Sequence, residues 1–128
     1  MDFRKLLGKK ILFFDGGMGT LLQERGLQPG EVPETWNILH PEIIRQIHKE
    51  YLSAGCNIIS ANTFGVNAYK CKDSDYTVDE LVTAGIRLTK EAIAELNENT
   101  YPRYSALDIG SIGKLLKPLG EITFDEAY

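Results

Sequence analysis

The chain has little cysteine and almost no tryptophan, two and one among 128 residues. Cys56 and Cys71 cannot build a disulfide framework, and neither belongs to a Cys-x-x-Cys pair, so a reducing, cytoplasmic setting is expected. Long apolar runs are missing too. The basic stretch from Met1 to Lys10 leads only into Ile11-Leu12-Phe13-Phe14 before Asp15 interrupts it, short of the about 7–15 residues of a signal-peptide core. Nothing approaches the ~18 apolar residues of a membrane span, so a soluble protein without a membrane partner is expected. An excess of positive charge is also lacking. Fourteen Lys and Arg against eighteen Asp and Glu leave a net charge of -4, which argues against a nucleic-acid partner. What remains is 43% hydrophobic and 25% charged residues, evenly mixed, enough for one globular domain with a single core.

The apolar positions alternate between two kinds of pattern. Ile11 to Phe14 reads as a strand buried on both faces and ended by Asp15-Gly16-Gly17. Thr20 to Arg25 suits a helical turn or two stopped by Gly26, and Gln28 to Pro33 is loop. Pro41 opens a firm helix with Ile43, Ile44, Ile47, Tyr51 and Leu52 on one face and Gly55 as its stop. Cys56 to Ala61 is a second strand, opening into the turn Asn62-Thr63-Phe64-Gly65. Thr77-Val78-Asp79-Glu80 has the form of a capping box. It starts a helix whose stripe of Leu81, Gly85, Leu88, Ala92 and Leu96 runs to about Asn97. Asn99 to Arg103 is a turn, and Tyr104 to Ile109 a third strand.

Strands alternating with helices imply right-handed crossovers and a parallel sheet, hence an α/β fold. A second box, Thr123-Phe124-Asp125-Glu126, announces a third helix that Tyr128 cuts short after less than two turns. Three βα units at this spacing project to well over ~250 residues if the sheet closes as an eight-stranded barrel. The expectation is a truncated architecture, the first half of something larger.

In parallel α/β folds the reactive groups gather at the C-terminal ends of the strands. Those positions hold Asp15-Gly16-Gly17, Asn62-Thr63 and Asp108. Asp15 either binds a ligand or caps the turn that follows it. Gly16 to Thr20 could cradle a phosphate, although it lacks the lysine of a P-loop and the spacing of a dinucleotide site. Asn62 and Thr63 either hold a carboxylate or close their turn. Cys56, at the far end of its strand, reads as a small core residue. Cys71 sits in a polar loop between Lys70 and Lys72. Neither thiol has a partner at metal-ligand spacing, so no metal site and no catalytic residue is assigned within the chain. His40 and His48 read as solvated, His48 on the polar side of its helix. Trp36 is a packing anchor or part of a pocket wall.

Phe14-Asp15-Gly16-Gly17-Met18-Gly19-Thr20, followed by Gly55-Cys56-Asn57-Ile58-Ile59-Ser60-Ala61-Asn62-Thr63-Phe64-Gly65, resembles the homocysteine S-methyltransferase domain family. Asp108-Ile109-Gly110 and Leu116-Lys117-Pro118-Leu119-Gly120 look closest to the branch formed by the N-terminal module of cobalamin-dependent methionine synthases. The resemblance implies a (β/α)8 TIM-type barrel, of which residues 1–128 would be the N-terminal part. It implies methyl transfer to the thiol of homocysteine, giving methionine, with zinc holding the sulfur as thiolate. The family holds that zinc with one cysteine late in the barrel and a Cys-Cys pair near the last strand, and this sequence contains neither feature.

Carried over by position, Asp15 would pair with the amino group of homocysteine, Gly16 and Gly17 would line the amino-acid pocket, and Asn62 and Thr63 would help hold the carboxylate. A further acidic residue of the family site falls past Tyr128. Ser111-Ile112 departs from the Pro-Thr usual in the third loop, which should loosen its backbone. The expectation is therefore part of a zinc-dependent homocysteine methyltransferase, inactive by itself because the zinc cysteines are missing. Cobalamin and methyltetrahydrofolate would act through other domains or partners, or a small-molecule donor would replace them. Two other readings stay open: an association module that pairs through exposed sheet edges, and a phosphate-ligand α/β domain.

Overall fold

The computed structural model describes residues 2–96 and 101–128. The expected helix end at Asn97 and the start of the turn at Asn99 lie outside the described residues. The elements run α1 (Gly19–Glu24), α2 (Trp36–Leu39), α3 (Pro41–Ser53), β1 (Ile58–Ser60), α4 (Val78–Glu95), β2 (Tyr104–Ala106) and α5 (Phe124–Ala127). Single 3₁₀ turns occupy Phe3–Lys5 and Pro33–Thr35.

The helix ends follow from local chemistry. Gly26 has φ +109, and the N–H groups of Gly26 and Leu27 return to the carbonyls of Gln23 and Leu22, so α1 closes in a Schellman motif. The same pair of bonds closes α3: Gly55 (φ +108) donates to Leu52 and Cys56 donates to Tyr51. Pro41 occupies the first turn of α3, where its missing N–H costs nothing. Both expected capping boxes form, Thr77 with Glu80 and Thr123 with Glu126. In each, the glutamate carboxyl is held below its ordinary pKa by the N–H and hydroxyl of its threonine.

The sheet is parallel, as the alternation of elements requires. β1 pairs with β2 in the register Ile58↔Tyr104, Ile59↔Ser105 and Ser60↔Ala106. On the other edge of β1 the first segment contributes one parallel bridge, Phe14↔Ile58, supported by bonds from Asn57 and Ile58 N–H to the Phe13 carbonyl. The expected first strand is thereby reduced to a bridge. It is not buried on both faces either: Ile11, Phe13 and Phe14 are 80%, 58% and 61% exposed among the described residues. The second and third strands are also shorter than expected, since ladder pairing stops where their chains turn into loops.

One face of the sheet carries the helices. Ile59 meets Leu52 of α3 and Ala92 of α4, and Ser105 meets Thr89 of α4 through a hydroxyl pair at 2.5 Å. Alternation sends Tyr104 to the opposite face, where Phe3 of the N-terminal turn packs edge-on at 5.3 Å. The main core joins Leu22, Leu27, Trp36, Ile44, Ile47 and Leu88, and each such buried aliphatic side chain contributes about 1.5–3 kcal/mol. Trp36 is thus a packing anchor. Arg45 ties α3 to α4 through Glu91 and Glu95 and pairs with Glu42 within its own helix, and Lys49 adds a bond to Glu95 at 2.7 Å. These pairs are half exposed and set orientation more than stability.

Two residues depart from their expected surroundings. His48 lies on the line Ile44–His48–Leu52, one residue per turn, and is fully buried rather than solvated. Among the described residues neither ring nitrogen has a partner, and burial pushes its pKa down to about 4. Cys71 is buried as well. Turns closed by Cys71 N–H on Asn67 O and Ser74 N–H on Cys71 O fold the polar loop over it.

Candidate functional site

A cleft of about 390 Å³ opens at the C-terminal ends of the strands. It brings together every residue singled out from the strand ends: Asp15, Gly16, Gly17, Asn62, Thr63 and Asp108. Glu34, from the 3₁₀ turn, lines it too. That residue escaped the sequence reading, because nothing local distinguishes a glutamate in a polar loop from a solvated one.

Asp15 is placed by the sheet. Its N–H donates to Ile58 O at 3.0 Å, and its Oδ2 accepts the Ser60 N–H at 2.9 Å. The carboxylate therefore reaches across to β1 instead of capping its own turn. Burial pushes the Asp15 carboxyl above its ordinary value; the Ser60 bond opposes this, and the nearby charge of Asp108 adds to it. Gly16 is required by close approach, since a Cβ there would lie 2.9 Å from the hydroxyl of Tyr51. That hydroxyl donates to Gly17 O at 2.8 Å. Cys56 is not a plain core residue: it is partly exposed, and its thiol donates to Phe14 O at 3.3 Å. Burial first, and Asp15 second, push the Cys56 and Tyr51 protons toward higher pKa.

The side chains of Asn62 and Thr63 join the walls of the cleft. Asn62 Nδ2 donates to Pro33 O at 2.9 Å and to Asn37 Oδ1 at 3.1 Å, while Asn37 Nδ2 donates to Asn62 O at 2.8 Å. Thr63 Oγ1 donates to Asp108 O at 2.8 Å and accepts Asp108 N–H at 3.2 Å. Gly85 of α4 permits this packing, since a Cβ there would meet Thr63 Cγ2 at 2.9 Å and Asn37 Nδ2 at 3.0 Å. By contrast, the N–H groups of Gly16 and Gly17 have no acceptor among the described residues.

The lining holds Asp15, Glu34 and Asp108 and no Lys, Arg or His. Such a cleft suits a ligand with a cationic group, and its free backbone donors suit a carboxylate beside it. Among the described residues no set of three His, Cys, Asp or Glu side chains is placed to hold a metal ion. Cys56 lies between α3 and β1 and Cys71 in the loop between β1 and α4, the first partly exposed and the second buried.

Fold and site together define an α/β chain with an acidic, glycine-floored cleft at the C-terminal ends of parallel strands. The model of the family described as homocysteine S-methyltransferase matches residues 12–128, and the chain belongs to that family. It is 30% identical to the methionine synthases of Mycobacterium leprae (strain TN) and of Mycobacterium tuberculosis (strain ATCC 25618 / H37Rv), each alignment covering 88% of this chain. The chain spans 10% of the length of those relatives. Among solved structures it resembles the homocysteine methyltransferase MmuM from Escherichia coli. The metallated form gives a TM-score of 0.76 at 22% identity over 86% of this chain and 41% of that one. The apo form gives 0.61 at 28% identity, over 81% and 38%.

Proposed function

We propose that the chain supplies the N-terminal part of a (β/α)8 barrel and, with it, half of the amino-acid site of a homocysteine S-methyltransferase. The carrying observation is Asp15, a carboxylate fixed by Ser60 N–H beside the unclaimed N–H groups of Gly16 and Gly17. In this reading Asp15 takes the ammonium of homocysteine, with the like charge of Asp108 favouring a cation. Gly16 and Gly17 floor the pocket and let backbone donors reach the carboxylate. Asn62 and Thr63 help hold that carboxylate only by shaping the second wall, since their side-chain donors are given to Pro33, Asn37 and Asp108.

The reaction replaces the S–H bond of homocysteine by an S–CH₃ bond and releases a proton. An ordinary thiol is mostly protonated at neutral pH and is a poor nucleophile. In the family, zinc supplies the thiolate when bound. Among the described residues the cysteines and acids do not fit that metal, so no step here runs through it; the chain's own residues bind and orient the amino-acid end. Methyl transfer therefore needs further protein that supplies thiol activation and the methyl donor, whether cobalamin with methyltetrahydrofolate or a small molecule, and the chain alone is inactive. The cytoplasm is the compartment this reading assigns.

Titration of the isotope-labelled chain with L-homocysteine tests the reading. Shifts confined to the amides of residues 15–19 and 60–65, lost in Asp15→Asn, support it. Saturating shifts with inorganic phosphate and none with homocysteine replace it by the phosphate reading, which the acidic lining disfavours. The association reading draws on Ile11, Ile109 and Leu119, which are 80%, 80% and 84% exposed. Light scattering that shows a stable oligomer without homocysteine binding would favour it.

A further inference from the structure

Residues 33–37 form a clasp over the loop that follows β1. Glu34 and Asn37 stand three positions apart, so one helical face presents both. Asn37 grips Asn62 as described above. Glu34 is only 5% exposed, and its Oε1 accepts the Gly65 N–H at 2.5 Å. The fit is close, since a Cβ on Gly65 would lie 2.6 Å from that oxygen. One residue earlier, Phe64 O accepts the N–H of Gly110 at 3.1 Å. Gly110 has no room for a side chain, because its Cβ would stand 2.3 Å from Phe64 O. Glu34, Gly65, Phe64 and Gly110 thus make one continuous linkage through the loops that carry Asn62, Thr63 and Asp108.

Glu34 precedes α2 in the 3₁₀ turn and belongs to neither hydrophobic cluster, and its bond goes to the loop after β1. We infer that Glu34 is a positioning residue of the cleft: through Gly65 it fixes the loops after β1 and β2 in the arrangement that receives a ligand. It acts by accepting a hydrogen bond from the backbone of the loop it holds. The link to homocysteine rests on the function proposed above, whereas the link to the loops stands on geometry alone.

The test uses the 128-residue chain with Glu34→Ala and Glu34→Gln, read by amide hydrogen exchange and by homocysteine titration. Gln keeps an oxygen for the Gly65 N–H and discards the charge. Expected for Glu34→Ala is exchange at Gly65 and Gly110 faster by on the order of tenfold, with Leu88 in α4 unchanged, and homocysteine binding weaker by a similar factor. Glu34→Gln is expected to restore most of both. Unchanged exchange at Gly110 in Glu34→Ala overturns the inference. So does a Gln variant as impaired as the Ala variant, which would make the charge itself the active feature. If the unaltered chain binds no homocysteine, the proposed function fails, while the exchange measurements still decide the role of Glu34.

Discussion

Asp15 and Ser60 are joined by a 2.9 Å bond from the Ser60 N–H to Asp15 Oδ2. The residue that ends the first apolar run is therefore aimed by the middle strand of the sheet, 45 positions later in the chain. Burial above the ordinary carboxyl pKa makes this an unfavourable place for a charge when the cleft is empty.

That cost yields a paired prediction for Asp15→Asn. A carboxyl whose folded pKa lies above its unfolded value stabilises the fold when protonated, fully so below the unfolded pKa. The contribution is lost as pH rises through the folded pKa. At neutral pH the charge of Asp15 thus opposes folding, and the Asn variant, which keeps an acceptor for Ser60, should melt at a higher temperature. Binding of homocysteine should weaken by at least about tenfold, the scale of a lost buried charge partner. A lower melting temperature with unchanged binding would assign Asp15 to the fold and not to the ligand.

His48 gives a pH dependence of the opposite sign. Its folded pKa is about 4, below the ordinary 6.5, because burial penalises the imidazolium. Below 6.5 the unfolded chain binds the proton first, so stability falls with pH from there down to about 4. The full difference is worth roughly 3 kcal/mol. His48→Leu should be the more stable chain at pH 5 and should lose this share of the slope. Urea denaturation at pH 7 and pH 5 checks it; parallel losses in both proteins would show that carboxylates carry the whole effect.

Helix limits were legible in the sequence because their causes are local. Pro41, Gly55 and the Thr77–Glu80 box lie within a few residues of the ends they specify. The cleft residues were legible as a set, since strand ends in a parallel sheet converge whatever their detailed partners. Burial was less so. His48 shares its line with Ile44 and Leu52, but histidine is polar by type, and which way such a side chain goes depends on what packs against the helix. Ile11 to Phe14 has the composition of a buried strand, yet burial depends on what covers it, and no local pattern encodes that. Glu34 with Gly65 and Asn37 with Asn62 are invisible for a related reason: their separations of 31 and 25 residues follow no helical or strand period.

Gly85→Ala sets helix propensity against packing. In an exposed helix interior the change would stabilise by roughly 0.5–1 kcal/mol. Here the new methyl meets Thr63 Cγ2 at 2.9 Å and Asn37 Nδ2 at 3.0 Å, both held by hydrogen bonds. Displacing them should cost about 1–3 kcal/mol. Net destabilisation in urea is expected, together with amide shifts at residues 62–65. A gain in stability would mean that α4 slides freely and that the Asn37–Asn62 pair is not a rigid wall.

Gly16 and Tyr51 should be coupled in the same sense. A Cβ on Gly16 would lie 2.9 Å from the Tyr51 hydroxyl but 3.3 and 3.4 Å from its ring carbons, so the oxygen is the chief obstacle. Gly16→Ala alone must move either the loop or a ring anchored by its bond to Gly17 O. Tyr51→Phe alone gives up that bond, a loss of about 1 kcal/mol. In the double variant the obstacle is gone, so its destabilisation should fall short of the two single losses added together by about 0.5 kcal/mol or more. Chemical denaturation of the four chains measures the coupling. Strict additivity would show that the Gly16 turn yields to a methyl group by itself, and that the floor of the cleft is softer than its hydrogen bonds imply.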